Sequence, residues 1–259
     1  MKAPYLSVVW TIAKNTYKEI IRDRLLYGIL VVALLITAST FFLATISLDQ
    51  NGRVLENLGP AFIQVFAALI CIFVATTSMS KDEERRALYL LFSKPISRSQ
   101  YILGKFVGMV LLLLTTLLIL GGLFILGLAF IERGIIANVV IDLCFTFLEV
   151  SLLSALAILF ASFASSLNAT LYSIALFVIG HSLGALKDYA STLGNQVAFD
   201  LLKVCYYLLP NLEKFDMRRS LLYGLALPKD AVAWSLVYWV VYTGLLLFLA
   251  MQVMRQREV

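Results

Sequence analysis

Residues 81–105 read KDEERRALYLLFSKPISRSQYILGK, a densely charged and punctuated stretch between two long apolar runs. Six of the chain's Lys and Arg residues fall within it: Lys81, Arg85, Arg86, Lys94, Arg98 and Lys105. Positive charge gathers on the cytoplasmic side of membrane-spanning helices, so this loop is expected there. A connector would be shorter, which points to a contact with something in the cytoplasm. The plainer alternative is a solvated, positive-inside loop.

Working outward, the flanking sequence is that of a membrane protein. Hydrophobic residues make up 61% of the 259 positions and charged residues 14%, with a mean hydropathy of +0.91. Six apolar runs are long enough to cross ~30 Å of hydrocarbon as helices: Leu25–Leu48, Pro60–Ser80, Tyr101–Phe130, Val139–Phe163, Ala169–Leu186 and Ala233–Met254. They are continuous rather than alternating, which favours helices over a barrel. The fold class expected is an all-α integral membrane protein with six transmembrane helices, forming one domain over residues 1–259.

Basic residues set the orientation. Lys2, Lys14, Lys18, Arg22 and Arg24 precede the first run, and Arg255 and Arg257 follow the last. Arg53 stands alone in the Asp49–Gly59 loop, Arg133 in the Ile131–Asn138 loop, and Ala164–Asn168 has no basic residue. Both termini are therefore expected in the cytoplasm. Residues 187–232 fall outside in this topology despite six basic residues, which Asp188, Asp200, Glu213, Asp216 and Asp230 offset. The first apolar run starts too late and is too long for a cleavable signal peptide. Cys71, Cys144 and Cys205 are scattered and read as packing residues rather than disulfide or metal ligands. The net charge of +5 is spread along membrane-flanking segments, which suits anionic lipid and not nucleic acid.

Three shorter segments are amphipathic. In Tyr5–Arg22, Lys14, Asn15, Lys18 and Arg22 recur on one face, as expected of a helix in the inner membrane interface within residues 1–24. Asp82–Phe92 has good helix formers with acids at its start, where the helix dipole favours them. Pro95 stops it within the loop 81–100, and Ser97 or Ser99 is placed to cap the third span. On the outside, Val197–Leu209, ending at Pro210, reads as a helix on or in the outer leaflet.

Asp142, Glu149 and His181 are ionisable and lie inside spans, where a charge costs ~2.5–3.5 kcal/mol on insertion scales. Asp142 is close enough to the outer end of its span to reach water. Glu149 and His181 fall near mid-membrane, where Glu149, paired with His181, would face the bundle interior or a cargo path. A neutral Glu hydrogen-bonded in a helix contact is the competing reading. Gly104-x-x-x-Gly108 and Gly180-x-x-x-Gly184 are candidates for close helix approach.

The segment Glu84, Arg85, Arg86, Leu88, Tyr89, Leu91, Ser93, Lys94, Pro95, Ile96, Ser97, Arg98, Tyr101, Gly104, Lys105, between spans two and three, resembles the permease subunits of ABC-2 type transporters. Leu152–Ser166 and Leu208–Phe215 are similar to the branch containing the membrane subunit of the nitrous oxide reductase maturation transporter. The resemblance implies a coupling helix on loop 81–100 that docks on a separate ATPase, with Glu83, Glu84, Arg85, Arg86, Leu88 and Tyr89 as the contact. It implies that the N-terminal helix is an elbow beside it. It also implies two ATPase subunits carrying ATP and Mg, a membrane core formed as a permease homodimer or by this chain with a similar one, and a bacterial or archaeal cytoplasmic (inner) membrane. The cargo is left open, and with it a periplasmic or extracellular partner to which force is transmitted.

No G-x-x-x-x-G-K-[ST] occurs, so this chain has no P-loop and is expected to be non-catalytic, binding no cofactor itself. A protease of the E-E-x-x-x-R type would need Arg where Leu88 stands. One histidine rules out H-E-x-x-H. The alternatives are an ATP-independent channel or carrier, which would predict half-repeats and broken helices, and a membrane scaffold for an ATPase and an external protein.

Overall fold

The computed structural model describes residues 5–46, 51–84, 96–131, 133–192, 203–204, 206, 209–222 and 229–256. Its elements, in chain order, are α1 (Tyr5–Ile21), α2 (Arg24–Ile46), α3 (Asn51–Glu84), α4 (Arg98–Ile131), α5 (Ile136–Ala161), α6 (Ser166–Thr192), α7 (Arg218–Leu222) and α8 (Lys229–Gln256). Single 3-10 turns lie at Arg133–Ile135 and Leu212–Phe215. Among the described residues there is no strand, and six helices (α2, α3, α4, α5, α6 and α8) are long and apolar enough to cross a membrane.

Helix α5 is the centre of the bundle, packed against α3, α4, α6 and α8. Its sequence explains this position. Ser151, Ser154, Ala155, Ala157 and Ala161 are small and buried, so neighbouring backbones approach closely. Ser151 also accepts the Trp239 indole N–H of α8 at 2.7 Å. Between α3 and α6, the Thr76 and Thr170 hydroxyls meet at 2.7 Å. Helices α2 and α8 are peripheral, and their exposed Leu, Val and Phe side chains suit a surface solvated by lipid tails.

Helix α1 does not simply float in the interface. Its face of Val9, Ile12, Ala13, Thr16 and Ile20 is buried, largely against α4. Gly104 and Gly108 make this possible: a Cβ on Gly104 would lie 2.6 Å from Ile12 Cβ, and one on Gly108 2.9 Å from Thr16 Cβ. Lys14, Asn15 and Lys18 remain exposed, as the sequence suggested.

Several boundaries differ from expectation. Residues Asn51–Gly59, read as loop, are the first turns of α3, and Pro60 sits inside the helix. Proline removes one intrahelical hydrogen bond, but packing outweighs that loss here. Leu55 is fully buried, and Gly59 lies so close to the Phe124 ring that a Cβ would overlap it. Helix α5 starts at Ile136 rather than Val139 and ends at Ala161. Helix α6 runs from Ser166 to Thr192, beyond the expected Ala169–Leu186 at both ends. Val197–Leu209 lies mostly outside the described residues. Within the region expected outside, residues 209–222 pack into the bundle against α3, α5 and α6.

Candidate functional site

Two polar clusters stand out, one at the end of the bundle where α3 leaves and α4 enters, the other among the spans. The first braces the stems of the loop after α3. Ser97 caps α4 reciprocally: the Gln100 N–H donates to Ser97 Oγ at 3.3 Å, and the Ser97 N–H donates to Gln100 Oε1 at 2.9 Å. One turn on, Tyr101 and Lys105 point back to α3. The Lys105 ammonium, 2% exposed, lies 2.7 Å from Asp82 Oδ2 and donates to Ser78 Oγ at 2.8 Å. The Tyr101 hydroxyl donates to the same Asp82 oxygen at 2.7 Å.

Further contacts join this frame to its neighbours. Lys81 donates to Asp23, at the corner between α1 and α2, at 2.5 Å. The Tyr5 hydroxyl of α1 reaches Ser99 at 3.2 Å. The Arg98 guanidinium donates to the Met254 carbonyl near the end of α8. The loop therefore springs from a base in which α1, α3, α4 and α8 are tied together.

The second cluster lies within the spans, toward the other end. Gln64 of α3 donates through Nε2 to Glu149 Oε2 of α5 at 2.5 Å, and the same nitrogen stands 3.1 Å from His181 Nε2 of α6. His181 Nε2 is 3.2 Å from Glu149 Oε1, and its Nδ1 is 3.0 Å from the Phe177 carbonyl. Arg218, at the start of α7, donates to Gln64 Oε1 at 2.5 Å. Its Nε donates to Asp216 Oδ1 at 3.0 Å and lies 3.9 Å from Asp142 Oδ1.

The notches that admit this inserted segment are Gly180 and Gly184. A Cβ on Gly180 would lie 2.7 Å from the Pro210 carbonyl oxygen, and one on Gly184 would overlap the Glu213 carboxylate. Both glycine pairs noted in the sequence thus accommodate short segments, α1 and residues 210–213, rather than a second span. Nearby, the Lys214 ammonium sits 4.2 Å from the centre of the Tyr238 ring, and burial holds it below the usual lysine range.

Of the residues singled out from sequence, Glu83 and Glu84 are the last two of α3. Arg85, Arg86, Leu88 and Tyr89 lie outside the described residues. Glu149 and His181 are brought together. Asp142 is 4% exposed and faces Arg218, so the expectation that it reaches water is corrected. Its Oδ2 and Glu149 Oε1 are buried without a hydrogen-bond donor.

Gln64 and Arg218 were not anticipated. Gln64, as an amide in an apolar run, carried a weak signal. Arg218 carried none, because it was counted among charges outside the membrane. Among the described residues no group of His, Cys, Asp and Glu is arranged to hold a metal ion.

Residues 10–183 match the profile of a family described as ABC-2 family transporter protein. Two curated relatives are each called probable ABC transporter permease protein NosY. The one from Stutzerimonas stutzeri is 29% identical over 137 residues, 50% of this chain and 49% of the relative. The one from Pseudomonas aeruginosa is 30% identical over 118 residues, 44% of this chain and 43% of the relative. The chain spans about half the length of the curated relatives it matches.

Proposed function

Because the chain belongs to the ABC-2 family of transporter proteins, we propose that it is the membrane-spanning, non-catalytic permease subunit of an ATP-binding cassette transporter. Two copies of a separate cytoplasmic ATPase subunit bind and hydrolyse ATP with Mg. Each docks on the loop after α3, with Glu83, Glu84, Arg85, Arg86, Leu88 and Tyr89 as the contact and α1 as the elbow beside it. A second copy of this chain completes the membrane core. Both termini face the cytoplasm of a bacterial or archaeal cell, in its inner membrane. Closure of the ATPases moves the spans, exporting a substrate or transmitting force to an extracytoplasmic partner.

The observation that carries this reading is the braced base of the loop. Lys105 and Tyr101 of α4 both hold Asp82 of α3, in a largely buried site. A push on the loop is then delivered to α3 and α4 as one body, which a slack connector would not do. The names of the two relatives support the same assignment.

A pull-down of tagged chain in stabilising detergent with nucleotide tests it, comparing wild type with Glu84→Arg plus Arg86→Glu. Recovery of a stoichiometric ATPase that the double variant loses is the expected result. Absence of any ATPase with the wild type would favour a carrier or a scaffold.

A further inference from the structure

Gln64, Glu149 and His181 restrict one another so closely that the positions of most hydrogens follow. Arg218 only donates, so the Gln64 atom it reaches is the carbonyl oxygen, and Nε2 must face Glu149 and His181. The Phe177 carbonyl only accepts, so His181 Nδ1 carries a hydrogen. A neutral imidazole then has a bare Nε2, which accepts from Gln64. In that state Glu149 Oε1, 3.2 Å from Nε2 and on a residue 1% exposed, has no donor at all. A buried carboxylate oxygen left unpaired is unfavourable. One added hydrogen between Oε1 and Nε2 removes the defect.

We propose that Glu149 and His181 form an intramembrane proton-binding site, which takes one proton between Glu149 Oε1 and His181 Nε2. The proton decides whether His181 is tied to Glu149 or accepts from Gln64. The charged groups around it agree. Helix α5 presents Glu149 and, two turns along the same face, Asp142; the segment before α8 presents Arg218, Asp216 and, against Gly184, Glu213. Helix α3 contributes the uncharged Gln64, and α6 itself the Phe177 ring, 4.7 Å from the imidazole. The Arg218 guanidinium is already engaged by Asp216 and Asp142, at 3.0 and 3.9 Å, so an ionised Glu149 adds excess negative charge that the proton reduces. The same amide that serves the imidazole anchors Arg218, so the proton changes the group holding residues 209–222 in the bundle. This assignment stands whether or not the chain works with an ATPase.

The chain has a single histidine, so isotopically labelled histidine reports on this site alone in nuclear magnetic resonance of the full chain in lipid nanodiscs. In wild type, Nδ1 should remain protonated at every pH. Nε2 should be protonated at or above about pH 5, either throughout or after a resolved transition, against ~6.5 for the midpoint of a free imidazole. In Glu149→Gln, protonation of Nε2 should require at least tenfold more acid. A wild-type Nε2 that stays bare down to about pH 5, a hydrogen on Nε2 with a bare Nδ1, or an unchanged transition in Glu149→Gln would overturn the proposal. The wild-type spectrum decides by itself if the variant does not fold.

Discussion

Removing the Lys105 ammonium leaves the Asp82 carboxylate nearly buried, with the Tyr101 hydroxyl as its remaining partner among the described residues. Breaking a buried pair from one side costs about 3–5 kcal/mol, whereas removing both charges is often nearly neutral. Lys105→Met should therefore lower thermal stability sharply. Lys105→Met with Asp82→Asn should recover at least half of the loss, since the amide oxygen still accepts from Tyr101. Thermal unfolding of the purified variants in detergent, followed by fluorescence, measures both. The sequence showed Lys105 as one more basic residue of the loop and as the end of the Glu84–Lys105 motif, with nothing to say that it pairs with Asp82. Glu149 and His181 were legible because ionisable groups inside apolar runs are rare. Their partners were not, since Gln64 lies 117 residues before His181 and Arg218 lies 154 after Gln64.

At the level of helices, apolar length was enough to find all six spans, because ~20 continuous apolar residues have few soluble alternatives. Helix ends were harder. Gly59-Pro60 looks like punctuation, yet the Phe124 ring occupies the space a side chain at Gly59 would need, and α3 continues through it. The contact between α1 and α4 was equally hidden, since nothing local says which helix Gly104 and Gly108 will meet. Gly104→Leu should overpack this seam, at a cost of about 1–3 kcal/mol. Ile12→Ala in the same chain should restore part of it, and non-additivity of the two changes in a double-mutant cycle checks the contact directly. Additive effects would mean that α1 does not pack here in the membrane.

Across the whole molecule, one polar cluster lies at the C-terminal end of α3 and the other along its interior, so the proposed orientation assigns the first to the cytoplasmic side and keeps the second within the membrane. In a chain with Cys71, Cys144 and Cys205 replaced by Ala, a membrane-impermeant maleimide should label Gly134→Cys in intact cells. Gly134 is exposed, with open space around its Cα. Lys14→Cys should label only after permeabilisation; the reverse pattern would invert the topology and move the proposed ATPase contact to the wrong side. The bond between Trp239 and Ser151 gives a further handle on such motions. Of three tryptophans, Trp10 and Trp234 are 56% and 72% exposed, whereas Trp239 is bonded to the central helix. With the other two changed to Phe, the remaining indole is an optical gauge built into the protein. Its emission colour would register, without any attached dye, each time the last helix parts from the core.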